Sequence, residues 1–329
     1  MNATPIVPAR QVRRRFAMAV VARDVLRETA RILGHEGIPL MPLKGVVLSQ
    51  LLYSDPALRP MSDVDVIVPE ALFAPAIRAL SAAGFEPEGA GRNLMAVSFG
   101  TPQRFPLDLH QRLFGRARYR LSTHALFARS TLDRKLFGFP VRLADPMDTF
   151  AHLVGKFAYD HVRDDGTRGL EELAAFAVHQ ALEPRALGQH LERCGMARAA
   201  RFALGYAERV SPHPVLSAVL RSLSSDPIGV ACAQLAEAAL KAFPRQSHAV
   251  VPTLHALNVS LARAATSFAL NVVDSSRYWL LERARGRGGK HLAPFFQPSA
   301  TSPARPRIQP LAPHSSRPPR RSARAGVTH

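Results

Sequence analysis

The sequence predicts an α+β protein: a small mixed sheet with flanking helices, then an all-helical domain, then a disordered tail. Three observations lead there. Between about residues 38 and 143, short alternating or apolar runs interleave with helical periodicity. After Asp145 long Ala/Leu-rich helical patterns take over, punctuated by "EPRA", "SPHP", "SSDP" and "FPRQ". Beyond Arg283 the chain is mostly Pro, Arg, Ser and Gly, a composition that buries too little apolar surface to offset the entropy of ordering. A chain of 329 residues suits two domains. The expected division is 1–144, 145–283 and a basic tail over 284–329.

Each element has its own signal. Residues 15–37 carry Val21, Val25, Thr29, Ile32 and Leu33 at helical spacing, and Gly34 and Gly37 are stop signals. "IPLMPL" is short, apolar and proline-bearing, which suits an edge strand or an entry turn. From Lys44 to Tyr53 the pattern is helical, with Val47, Leu48, Leu51 and Leu52 on one face. "SDPALRP" is a loop, and "DVDVIV" alternates as a strand that Pro69 ends. Residues 70–83 read as a helix closed by Gly84. "NLMAVSF", "FPLDLHQRL" and "FPVRLA" are strand candidates. No internal repeat is visible.

Composition narrows the function classes. The two cysteines, Cys194 and Cys232, fall in different candidate helices, which argues against a disulfide framework and against a cysteine metal site. They suit a reducing cytoplasm. Arg10, Arg13, Arg14 and Arg15 lie near the N-terminus, but the helix behind them is interrupted by Arg23, Asp24, Arg27 and Glu28, so no secretory signal is expected. No apolar run is long enough to span a membrane. The expectation is a soluble, cytoplasmic protein. Of the net charge of +18, the stretch from Arg283 onward supplies +10, with nine arginines, one lysine and no acid. Any polyanion binding therefore concerns the tail, and it would be weak and salt-dependent. No aromatic residue follows Phe296, so the stacking element of a single-strand binder is missing.

Asp63 and Asp65 interrupt an apolar strand. Residues two apart in a strand share a face, so both carboxylates project together while Val64 and Val66 turn to the core. Close like charges raise one another's pKa unless a cation lies between them. A divalent metal with a preference for oxygen, typically Mg²⁺, resolves the repulsion. Taken bare, the same pattern also describes a surface strand whose acids face water. The context favours the metal. "LKG" opens a helix whose first N–H groups can hold a phosphate. The strand "FPLDLH" brings Asp108 towards the same place. Three carboxylates and a phosphate cradle are what two-metal phosphoryl or nucleotidyl transfer needs.

The stretches "LKGVVLSQLLY", "ALRPMSDVDVIV" and "LDLHQRLF" resemble the uncharacterised bacterial nucleotidyltransferases of the DNA polymerase β superfamily, over about residues 15–180. The resemblance implies a nucleotidyltransferase-like catalytic domain. It makes Asp63 and Asp65 the metal pair, Asp108 the third carboxylate and Gly45 the phosphate-loop glycine. It also implies two Mg²⁺ ions, an NTP such as ATP as substrate, and an unidentified acceptor. Where the wider superfamily has Gly-Ser or Gly-Gly, this chain has Gly45-Val46, and Lys44 is the expected substitute phosphate contact. The branch often carries an Asp in an "RW-x-x-D" helix; here "RGLEEL" offers Glu171 or Glu172.

Other residues are weighed between functional and structural readings. Arg59 contacts nucleotide or is an exposed loop arginine. His110 shares the strand face of Asp108 and orients a carboxylate, accepts a proton, or is structural. His152, Lys156 and Asp160 share a helix face, with His161 beside them, that closes the cleft or is simply solvated. Tyr278 and Trp279 read as packing residues. The expected function is Mg²⁺-dependent transfer of an NMP to an acceptor hydroxyl with release of pyrophosphate. The alternative is a catalytically inactive nucleotide- or RNA-binding regulatory protein, favoured by the Gly-Val loop and opposed by the retained acids. A two-metal phosphohydrolase would need more His and Asp ligands than this strand offers.

Overall fold

The computed structural model describes residues 9–90, 95–159, 167–242 and 269–270. The expected tail over 284–329, Asp160, His161, Tyr278 and Trp279 lie outside the described residues, as does most of 243–283.

The first part is built from α1 (Ala9–His35), β1 (Met41–Pro42), α2 (Lys44–Leu52), β2 (Val64–Ile67), α3 (Phe73–Ala82), β3 (Glu86–Ala90), β4 (Ala96–Gly100) and β5 (Leu107–His110). The chain continues through α4 (Thr123–Arg129), β6 (Thr131–Asp133) and β7 (Val141–Leu143). Six helices come next: α5 (Pro146–Tyr159), α6 (Thr167–His179), α7 (Pro184–Arg193), α8 (Ala197–Val210), α9 (Pro214–Ser222) and α10 (Pro227–Ala242).

Five strands form one mixed sheet in the order β1-β2-β5-β4-β3. β2 and β5 are parallel, and the other pairs are antiparallel. Alternation along β2 sorts its side chains between two cores. Val64, Val66 and Val68 join Leu107, Leu109 and Phe99 in a core covered by α1 and α3. Ile67 and Met41 face the opposite core, which also holds Leu48, Leu52, Phe150, Phe157, Phe176 and Phe202. That second core runs continuously from the sheet into the helices beyond Asp145. Gly37 and Gly84 close α1 and α3 with φ of +67° and +88°, left-handed values that side chains resist and glycine accepts.

Several elements differ from expectation. The helix expected over 15–37 begins earlier, at Ala9. The helix expected over 70–83 opens with a 3-10 turn, Glu70–Leu72, before α3. "FPVRLA" forms β7, but in a separate two-stranded sheet with β6. The N–H of Arg142 donates to Leu40 O at 2.9 Å and docks this hairpin beside β1. β3, β6 and α4 carried no sequence signal. β3 reads "EPEGA", whose proline and glycine suggest a turn; it survives as an edge strand with a register shift between Pro87 and Gly89. Among the described residues every regular element after Asp145 is helical, and no helix is long and apolar enough to cross a membrane.

Candidate active site

The site grows out of strand register. Parallel pairing sets Asp65 beside Asp108 and Ile67 beside His110. Antiparallel pairing on the other side of β5 sets Ser98 opposite Asp108. These polar groups share the sheet face that looks towards the helical layer, while the valines of β2 fill the other core. One carboxylate oxygen each of Asp65 and Asp108 and one ring nitrogen of His110 lie within 4.8 Å of one another. Such a set can hold a metal ion.

Asp65 is 8% exposed. Its Oδ1 takes the Lys44 ammonium at 2.9 Å and His110 Nε2 at 2.8 Å. Burial opposes its ionisation, but Lys44 and the His110 hydrogen bond outweigh burial and hold the carboxyl well below the usual range. Asp63, just before β2, shows the opposite behaviour. Burial, followed by the charges of Asp65 and Asp108, raises its pKa; Lys44 and a hydrogen bond from Ser62 only partly compensate. Ser98 Oγ donates to Asp108 Oδ1 at 2.7 Å and fixes that carboxylate's orientation.

Lys44 is unusual in its backbone as well. Its φ is +43°, a left-handed value at the first residue of α2, which costs a non-glycine residue about 1 kcal/mol or more. The residue before it, Leu43, has no hydrogen-bonding side chain, so α2 starts without a side-chain cap. Leu43 N–H donates to Asp65 O at 2.9 Å, tying the helix entry to the acid-bearing strand.

Gly45 and Arg59 come together. A Cβ on Gly45 would lie 2.7 Å from an Arg59 guanidinium nitrogen. Arg59 itself is directed at α6: its Nε and Nη2 donate to the two carboxylate oxygens of Glu172 at 2.8 and 3.1 Å. Tyr53 donates to the same Glu172 at 2.7 Å. Burial first, then the Glu172 charge, pushes the Tyr53 hydroxyl pKa up. Glu172 of "RGLEEL" thus joins α6 to Arg59 and Tyr53.

From the helical layer, α5 brings His152, which is buried and lies edge-on to Phe114. Burial, then the charges of Lys44 and Lys156, holds its pKa well below the ordinary histidine value. The α5 face with His152 and Lys156 therefore borders the carboxylate site. Nothing in the sequence singles out Ser98 or Tyr53. Ser98 is visible only once the β4–β5 register is known, and Tyr53 only once α6 is seen against α2.

A mixed sheet carrying a carboxylate–histidine cluster and backed by helices defines an α+β protein with a candidate metal site. A family model described as uncharacterised nucleotidyltransferase matches residues 5–212, more than half of the chain. The chain belongs to that family. No curated protein matches it.

Proposed function

We propose that this protein is a metal-dependent nucleotidyltransferase that moves an NMP from an NTP to an acceptor hydroxyl. The observation that carries this reading is the convergence of Asp65, Asp108 and His110 on one sheet face, with Asp63 destabilised by burial and by the charges of Asp65 and Asp108. The donor set fits Mg²⁺: it is rich in carboxylate oxygens, and its mutual repulsion falls when a divalent cation enters. Asp63, Asp65 and Asp108 are the proposed ligands of two such ions. When bound, the metal supplies Lewis-acid stabilisation of charge on the phosphates and the attacking oxygen.

The chain's own residues do the rest. Lys44 and the first N–H groups of α2 around Gly45 receive the triphosphate. Arg59 acts through Gly45, since its guanidinium lies against that glycine while Glu172 holds it. Asp108, oriented by Ser98, takes the proton of the acceptor hydroxyl. The acceptor oxygen then bonds to the α-phosphorus, the bond from that phosphorus to the bridging oxygen breaks, and pyrophosphate leaves. His110 orients Asp65. Neutral His152 and Lys156 line the cleft from the helical side. Residues 1–144 are the proposed catalytic unit, with the helices closing over it.

The test is calorimetric binding of each of the four NTPs with and without Mg²⁺, on the wild type and on Asp63→Ala/Asp65→Ala. The expected result is binding of at least one NTP that needs Mg²⁺ and is lost in the variant. Binding that ignores both metal and acids would favour the inactive binding protein instead. No binding at all would remove the transferase reading.

A further inference from the structure

A second set of groups able to hold a metal ion lies in the helical layer, away from the sheet. Asp148 stands in the first turn of α5, His190 in the last turn of α7, and Cys194 at the C-cap of α7. His190 and Cys194 are four residues apart, so they project from one side of the same helix end. All three are buried, Asp148 completely. One oxygen, one ring nitrogen and one sulfur from the three lie within 4.8 Å of one another. We propose that Asp148, His190 and Cys194 form a zinc site that ties the start of α5 to the end of α7.

The proposal rests on the geometry at one atom. His190 Nε2 lies 2.9 Å from Asp148 Oδ1 and 3.5 Å from Cys194 Sγ. A ring nitrogen has one in-plane direction for a hydrogen or a lone pair, so it serves one of these partners well and the other poorly. A cation between the three atoms satisfies all of them together. Zinc bonds of about 2.0–2.1 Å to nitrogen and about 2.3 Å to sulfur give a tetrahedral N···S edge of roughly 3.6 Å. The observed 3.5 Å matches that edge. The N···O separation is a few tenths of an ångström shorter than its tetrahedral edge, a difference within side-chain adjustment.

The surroundings hold the proposed ligands in place. Arg129 donates from Nε to Asp148 Oδ2 at 2.8 Å and from Nη2 to Oδ1 at 2.8 Å. This fork fixes the carboxylate plane, as outer hydrogen bonds commonly do for ligating carboxylates. Arg120 N–H donates to Cys194 O at 2.7 Å and holds the helix end in place. Three protein ligands of the types zinc accepts leave the fourth tetrahedral position to a water or a small anion. Asp148 also lies one turn before His152 on α5, so the site would fix the helix that borders the carboxylate cluster.

The competing account is a metal-free ion network in which Arg129, Asp148 and a protonated His190 satisfy one another. Cobalt distinguishes the two. Full-length reduced protein, stripped with a chelator, is titrated with Co²⁺ alone, and the absorption is followed. The expected result is a thiolate-to-cobalt charge-transfer band with the intense visible bands of tetrahedral cobalt, saturating as a single site and displaced by Zn²⁺, whatever cobalt the sheet carboxylates also take up. The band disappears in Cys194→Ala and in His190→Ala. It persists in Cys232→Ala and in Asp63→Ala/Asp65→Ala, because oxygen ligands on the sheet give no thiolate band. Absence of that band in the wild type overturns the proposal and leaves the ion network. So does a band that survives Cys194→Ala. The wild-type spectrum decides the question even if a variant folds poorly.

Discussion

Lys44 precedes Asp65 by 21 residues and sets its ammonium 2.9 Å from Asp65 Oδ1. Both side chains are largely buried, at 14% and 10% exposure. The lysine thus neutralises a carboxylate that is also a proposed metal ligand, from the residue before Gly45, the proposed phosphate contact. A bound triphosphate and metal would compete for the two partners separately: phosphate for the ammonium, metal for the carboxylate.

Lys44→Met should therefore destabilise the protein by about 3 kcal/mol, because it leaves Asp65 buried with a weaker set of partners. Denaturant unfolding measures the loss. Saturating Mg²⁺ should recover more stability in Lys44→Met than in the wild type, since the metal fills the place the ammonium leaves. An equal Mg²⁺ effect in both proteins would separate Lys44 from the metal position.

Asp63→Asn should do the reverse. Asp63 is raised above its unfolded pKa by burial and by Asp65 and Asp108, so its ionisation at neutral pH works against folding. Removing the charge should raise Tm in metal-free buffer. The same change should abolish stabilisation by Mg²⁺ and any nucleotidyl transfer. A lower Tm would mean that Asp63 is needed for folding rather than for the metal.

Gly45→Ala tests the contact with Arg59. A Cβ placed 2.7 Å from the guanidinium must displace a group held by two hydrogen bonds to Glu172. Overpacking of this kind costs about 1–3 kcal/mol. In an Arg59→Met/Glu172→Met background the alanine should cost much less, and a double-mutant cycle reads the difference. Arg59→Lys should not rescue the wild-type value, because an ammonium cannot make the bidentate pair.

His152 predicts a pH dependence. Its folded pKa lies well below the unfolded value near 6.5, with burial the first cause. Below about pH 6.5 the unfolded chain takes up a proton here that the folded chain refuses. Stability should then fall with falling pH, by up to about 1.4 kcal/mol per pH unit from this one group, and should not depend on it above that range. Unfolding free energies from pH 7 down to pH 5 should show a shallower slope in His152→Gln. Identical slopes would place the protonation elsewhere.

Much of the site was legible along the chain because its chemistry is local. Asp63 and Asp65 lie two residues apart on an alternating strand, and strand geometry alone puts them on one face. Asp108 and His110 repeat that spacing. Lys44 and Gly45 mark a helix start by composition. The core on the valine face of the sheet is likewise implied by valines alternating with acids in "DVDVIV".

The sequence by itself determined the α+β character, the order of the main strands and helices, and the acids that face away from the valine core. It did so because periodicity and repulsion between near neighbours are written in adjacent residues. Tertiary structure alone decided the in-register pairing of Asp65 with Asp108, the bond from Ser98, and the engagement of Arg59 by Glu172 instead of solvent. It alone assembled Asp148 with His190 and Cys194, which lie 42 and 46 residues further along the chain. Those relationships depend on which strands pair and which helices cover the sheet. The burial of a continuous core, from Met41 through Phe202, sets that arrangement, and no local pattern encodes it.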